Sequence, residues 1–258
     1  MLITLTTDFG IKDPFVGIMK GVIARINPRA IVVDLTHGIP PQNILAAAMT
    51  LRHAVKYFPQ KTIHVAVVDP GVGSTRRPLL VTVAETYFIG PDNGVLSLAW
   101  DGQQPNRIVH LSNSAYYLKP TSGTFHGRDI FAPVAAYLSL GIAPEAFGET
   151  LDDYIHVRRP EVVRAERSVT GEIVYIDGFG NLFSNIQEQD LTGLGGENLS
   201  IVLGELTIRG LASNYSGVES GQPVALINSW GVLEIALNKG DVARRFSVRI
   251  GEKVHVST

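Results

Sequence analysis

AIVVDLTHGIPPQNILAAAMTLRHAVKYFPQKTIHVAVVDPG, residues 30–71, sets two runs of aliphatic and β-branched residues around a segment of different period. Within that segment Ile44, Leu45, Ala48, Met49, Leu51 and Val55 recur at mostly helical spacings, which predicts a helix with one buried face. The flanking runs, AIVVDLTHG and TIHVAVVDPG, read as strands. Nearer the N-terminus, Ile3 to Thr7 predicts another strand, followed by Phe15, Ile18, Met19, Val22, Ile23 and Ile26 on one helical face that Asn27-Pro28 closes. This β-α-β-α-β order predicts an α/β domain with a mostly parallel central sheet covered on both faces. LLVTVA, YFIGPDNG and RIVHLS add strands, and HGRDIFAPVAAYLSLG predicts a helix that must tolerate Pro133 or kink there.

From about residue 165 the pattern changes. GEIVYID, NLFSNI, NLSIVLG, ELTIRG, PVALINS, VLEIAL and FSVRIGEKVHV alternate apolar and polar residues between Gly, Asn or Asp turns, as a small barrel or sandwich does. Two domains are therefore expected: an N-terminal α/β domain over 1–160 and a smaller all-β barrel-like domain over 168–258. The polar stretch IHVRRPEVVRAERS, 155–168, is the expected linker.

The 258 residues are 45% hydrophobic, enough for a substantial core, and carry 22 basic against 24 acidic residues. That balance gives no footprint for nucleic acid or an anionic membrane and favours small-molecule chemistry. The absence of cysteine excludes disulfides and thiolate nucleophiles. MLITLTTDFG lacks the basic region of a signal peptide, and no apolar run is long enough to span a membrane, so the cytoplasm is the expected location.

Aspartates stand where the strands of the first domain run out: Asp8, Asp34, Asp69 and Asp92. Ligands of open parallel sheets bind at the carboxyl ends of the strands, which predicts one cleft ringed by these acids. Each also suits a helix cap or a turn. Asp69 stands out, because Pro70, Gly71 and Gly73 allow the chain to turn back and bring Arg76 to the same pocket. His126, at the start of a helix, is expected to be held neutral by the helix dipole. His37, His126 and the acids are alternative ligands for a divalent metal, although HExxH and DxD patterns and a second His at helical spacing are missing, and His64 reads as packing.

TTDFG, DLTHGIPP, DPGVGSTRRP, GPDNGVL, TFHGRDIFAP, IDGFGNLFSNI and NSWGVLEIA, in this order, resemble the adenosyl-forming S-adenosylmethionine (SAM) hydrolases, also called SAM hydroxide adenosyltransferases, over essentially the whole chain. The fluorinase and chlorinase are relatives of that family. The resemblance implies an α/β domain followed by a β-barrel, and a homotrimer with sites between subunits. It implies cleavage of SAM to adenosine and methionine by water attacking ribose C5′, with no metal or redox cofactor. By motif the Asp-Arg-His triad falls on Asp69, Arg76 and His126. Asp69 is expected mainly to orient, with the proton acceptor undecided between it and His126. The resemblance makes Asp8 the acceptor for both ribose hydroxyls, places Phe125, Phe179 and Asn181 near sugar and adenine, and sets Asp177 and Ser229 at the methionine end. Tyr215 and Glu234 are further expected contacts. Asp177-Gly178 also suits a hairpin turn, and Phe183 a barrel core.

Asp69 and Gly127 differ from the residues the halogenases carry there, and a carboxylate beside the nucleophile would repel halide, so hydrolysis is expected. Trp230 stands where the fluorinase has an arginine. The rival expectations are a noncatalytic adenosine or SAM binder, a halogenase, and a metal-dependent phosphohydrolase.

Overall fold

The computed structural model describes residues 1–100, 102–194 and 199–258. It divides into two compact units, residues 1–158 and 159–258.

The first unit runs β1 (Leu2–Thr7), α1 (Phe15–Ile26), β2 (Ile31–Thr36), α2 (Ile44–Ala54), β3 (Ile63–Val67), β4 (Pro78–Val83), β5 (Thr86–Pro91), β6 (Arg107–His110), α3 (Ala132–Ser139) and β7 (Thr150–Leu151). Its sheet has the order β2-β1-β3-β5-β4-β6-β7. The pairings β1–β2, β1–β3 and β3–β5 are parallel, and the rest are antiparallel. All five residues of β3 are buried, which is why this run shows no alternation in the sequence. The core joins Ile3, Leu5 and Val65 of the sheet to Met19 and Ile23 of α1 and Phe131 before α3. Asn43 caps α2, its side chain accepting from the Ala46 amide.

Pro133 neither breaks nor kinks a continuous α-helix. Residues 127–131 form a π-helical turn that runs directly into α3, and Pro133 is tolerated at the junction, just after Ala132 N donates to Gly127 O.

The second unit comprises β8 (Val163–Ala165), β9 (Ser168–Ile176), β10 (Leu182–Gln187), β11 (Ser200–Leu203), β12 (Leu206–Arg209), β13 (Pro223–Ile227), β14 (Val232–Leu237), the short α4 (Val242–Arg245) and β15 (Lys253–Ser257). All its pairings are antiparallel, in the order β12-β11-β15-β9-β10-β14-β13, with β8 beside β9. The terminal strands β12 and β13 also touch, so the sheet nearly closes as a barrel. Inward residues such as Ile173, Leu182, Leu233, Ile235 and Val254 fill it.

Two expectations need amendment, and a third begins outside the described residues. The tail of the expected linker is a strand, since Val163–Ala165 pairs with Ser168–Thr170 across a tight turn. FSVRIG, 246–251, is not strand: Asp241 caps α4, Ser247 takes a positive φ of 54°, and the strand starts only at Lys253. The start of NLSIVLG, residue 198, lies outside the described residues, and its strand is Ser200–Leu203.

Candidate active site

The carboxyl ends of β1, β3, β5 and β6 share one edge of the first sheet, as their parallel and twice-antiparallel pairings require. Loops leaving β1, β3 and β6 at that edge carry Asp8, Asp69 and His126. β4 lies beyond β5 and starts at the same edge, so residues 68–77 must cross the end of β5 and turn back. Successive tight turns do this: Val72 N donates to Asp69 O, Ser74 N to Gly71 O, and the Ser74 hydroxyl accepts from Arg76 N. Gly73 sits at φ +77°, and a Cβ there would lie 2.2 Å from Gly123 O. Only glycine lets this loop press against the segment that leads to His126.

The expected carboxylate–guanidinium pair forms. Arg76 Nε donates to Asp69 Oδ1 at 3.0 Å and its Nη2 donates to Asp69 Oδ2. The same Nη2 lies 2.7 Å from His126 Nδ1. The side chains of Asp69 and Arg76 are only 5% and 9% exposed, so the pair is largely out of water. Arg76 Nη1 is buried and has no hydrogen-bond partner among the described residues, and the guanidinium lies over the Phe131 ring, 5.4 Å from its centroid. His126 is held below the ordinary imidazole pKa, first by burial and next by the Arg76 charge. The direction matches the sequence expectation, but burial and Arg76 replace the helix dipole as causes.

A cavity of about 290 Å3 opens here, lined by Asp8, Phe9, Gln42, Val67, Asp69, Pro70, Val72, Thr124, Phe125, His126 and Gly127. Asp8 accepts from Gln42 N at 2.8 Å through Oδ2. Phe9, Phe15 and Phe125 meet edge to face with centroids 5.3 to 5.9 Å apart. Gln42 and Thr124 escaped sequence reading; the signal for Gln42 was its place after Pro40-Pro41, where the chain takes φ +63°.

The four strand-end acids do not share this cleft. Asp34 pairs with Lys20 at 2.6 Å and lies 3.0 Å from His37. Asp92 is buried against Arg77, which also binds Asp153, and it accepts from Ile155 N. Among the described residues no group of three His, Asp or Glu side chains converges as metal ligands. His64 is buried beside Thr4 and stacked on Phe88.

In the second unit a cavity of about 580 Å3 is lined by Asp177, Phe179, Asn181 and Tyr215 with residues 237–241. Asp177 Oδ1 accepts from the amides of Phe179 and Asn181, and its Oδ2 from Asn181 Nδ2. This carboxylate thus builds the β9–β10 turn as well as facing the cavity, and leaves Phe179 79% exposed at its tip. Ser229 and Glu234 do not line that cavity. Ser229 is exposed in the β13–β14 turn. Glu234, buried with its pKa raised by desolvation, accepts from Tyr215 Oη at 2.8 Å and Asn228 Nδ2 at 3.0 Å. Phe183 packs against Tyr175 and Trp230.

Family models for the SAM hydroxide adenosyltransferase N-terminal and C-terminal domains match residues 3–148 and 171–255. The chain belongs to the SAM hydroxide adenosyltransferase family. Among its relatives in that family, the (R)-S-adenosyl-L-methionine hydrolase of Thermus thermophilus is 35% identical over 260 residues, covering 97% of each chain. A fluorinase of Actinopolyspora mzabensis is 26% identical, covering 99% of this chain and 97% of its own. That alignment spans 289 positions against the 258 residues here, so the fluorinase carries insertions that this family member lacks. A solved structure from Thermotoga maritima, described as an uncharacterized conserved protein, superposes with TM-score 0.90 at 36% identity over 100% of both chains.

Proposed function

We propose that this chain hydrolyses (R)-S-adenosyl-L-methionine to adenosine and L-methionine without a metal or redox cofactor. The observation that carries the reading is the Asp69–Arg76–His126 constellation, in which Arg76 ties together the two side chains, Asp69 and His126, that line the small cavity. The relative 35% identical to this chain, an (R)-S-adenosyl-L-methionine hydrolase, supports the choice of substrate.

In the reaction a C5′–O bond forms and the C5′–S bond breaks. Its electron pair stays on sulfur, so methionine departs as a neutral thioether and needs no general acid. A guanidinium has only donors, so Arg76 Nη2 must donate to His126 Nδ1. The neutral ring then carries its proton on Nε2 and presents a donor to the cavity. Accepting the water proton falls to Asp69, which revises the expectation that it chiefly orients. A weak base suffices, because the attacking water becomes strongly acidic as the C–O bond forms. His126 Nε2 positions the oxygen, Arg76 holds His126 and Asp69 in place, and the proton leaves through Asp69 to solvent.

Asp8 takes the ribose hydroxyls and Phe125 the sugar face. Asp177, Phe179, Asn181 and Tyr215 receive adenine and the amino-acid end, Ser229 meets the methionine carboxylate, and Glu234 acts by holding Tyr215. Sites form between copies of a homotrimer, a reading supported by the resemblance and by candidate residues lying on two separate units. The Asp69 charge favours water over halide.

The test is incubation with each sulfonium epimer of SAM in isotopically labelled water, with and without chelator. The expected result is adenosine labelled at its 5′ oxygen and equimolar methionine, chelator or not. Intact SAM of both epimers would overturn the assignment and favour a binding protein.

A further inference from the structure

His37 takes no part in the proposed chemistry, yet it is buried at 6% exposure beside the loop that carries Asp8. Its Nε2 stands 3.0 Å from Asp34 Oδ1. The Asp34 carboxylate at that distance favours a proton on Nε2. Nδ1 is then the acceptor, and the Thr7 hydroxyl donates to it at 2.9 Å. The lone pairs of Thr7 Oγ1 accept in turn from Phe9 N at 3.2 Å. The hydrogen bonds from Phe9 N through Thr7 to His37 thus point one way, toward the Asp34 charge, and polarise one another.

The backbone repeats the clasp. Gly10 N donates to His37 O at 2.8 Å, Ile39 N to Thr7 O at 3.4 Å, and Gln42 N to Asp8 Oδ2 at 2.8 Å. Residues 37–42 therefore bracket Asp8, and His37 is the side chain that ties them to the end of β1. We propose that His37 is a positioning residue that fixes Asp8 for the ribose diol through Thr7, an inference that rests on the reading of Asp8 given above.

The test compares wild type, His37→Ala, His37→Gln, Thr7→Val, Asp8→Ala and the His37→Ala/Asp8→Ala double variant, with SAM and its 2′,3′-dideoxy analogue. Calorimetry with adenosine and 2′,3′-dideoxyadenosine runs alongside. His37→Ala is expected to raise KM for SAM about tenfold with kcat within about twofold. It should leave KM for the dideoxy analogue unchanged and add nothing in the Asp8→Ala background. His37→Gln, which keeps an acceptor for Thr7, should recover most of the loss. If His37→Ala fails to fold, Thr7→Val cuts the chain one link further on while keeping the side-chain shape. Equal losses with diol and dideoxy ligands, or losses additive with Asp8→Ala, would overturn the proposal. If wild type turns over neither substrate, the hydrolase reading fails by itself, and the calorimetric contrast between adenosine and dideoxyadenosine still decides the role of His37.

Discussion

Arg76 donates from Nε and Nη2 in one plane to Asp69 and His126, a fork that a lysine ammonium cannot reproduce. Arg76→Lys should therefore lower kcat by about a hundredfold while changing KM little, as steady-state kinetics will read. Protonating His126 places a hydrogen on Nδ1 against the Arg76 donor, and its pKa lies below 6.5 through burial and Arg76. Activity should hold as pH falls through 6.5 and drop only below it, so a pH–rate profile whose acid limb lies above 6.5 would contradict this geometry. His64 acts on stability instead. Burial depresses it from 6.5 to about 4, so between those values the unfolded chain binds the extra proton and stability falls as pH falls. The drop is about 3 kcal/mol, and urea titrations across that window should show it shrink in His64→Gln. The Asp69–Arg76 pairing was legible because both share one glycine-rich turn, and His126, which meets Arg76, sits in a distinctive motif. The fates of Asp34 and Asp92 were not, because a strand-end acid reveals its place but not its partner: Lys20 and Arg77 arrive from other elements.

The turn at residues 69–76 meets residue 123 most closely at Gly73. Gly73→Ala must relieve both a positive φ and a Cβ 2.2 Å from Gly123 O. It should cost about 1–3 kcal/mol by chemical denaturation and lower kcat, because the displaced segment leads to His126. Asn43→Ala removes the α2 cap and should cost about 1 kcal/mol with kcat unchanged. The helices and parallel strands were legible because their apolar periods run for many residues. What escaped was short or mixed in signal. Val163–Ala165 is a three-residue strand made by its pairing with β9. FSVRIG alternates like a strand, but the Asp241 cap and the hydrogen bond from Glu252 N to Arg249 O turn the chain instead. The π turn at 127–131 leaves no period of its own.

The chain as a whole carries two cores, one in each unit, and the proposed residues divide between those units. If sites form between copies, inactive Asp69→Asn and Asp177→Ala proteins should complement when unfolded and refolded together. Random mixing in a trimer returns about a quarter of the sites intact, whereas sites built within single chains return none, and the activity of the mixture decides. The two-unit plan was readable because helical period gives way to alternation near residue 165. The crossing of β5 by residues 68–77 has a further meaning, in the currency of inheritance. Both ends of that segment are anchored at the same sheet edge, and it holds the acid and the guanidinium together. A replacement of some ten codons could exchange the nucleophile's surroundings while every strand stays paired, so descendants of such a gene are free to change their chemistry without first learning to fold again.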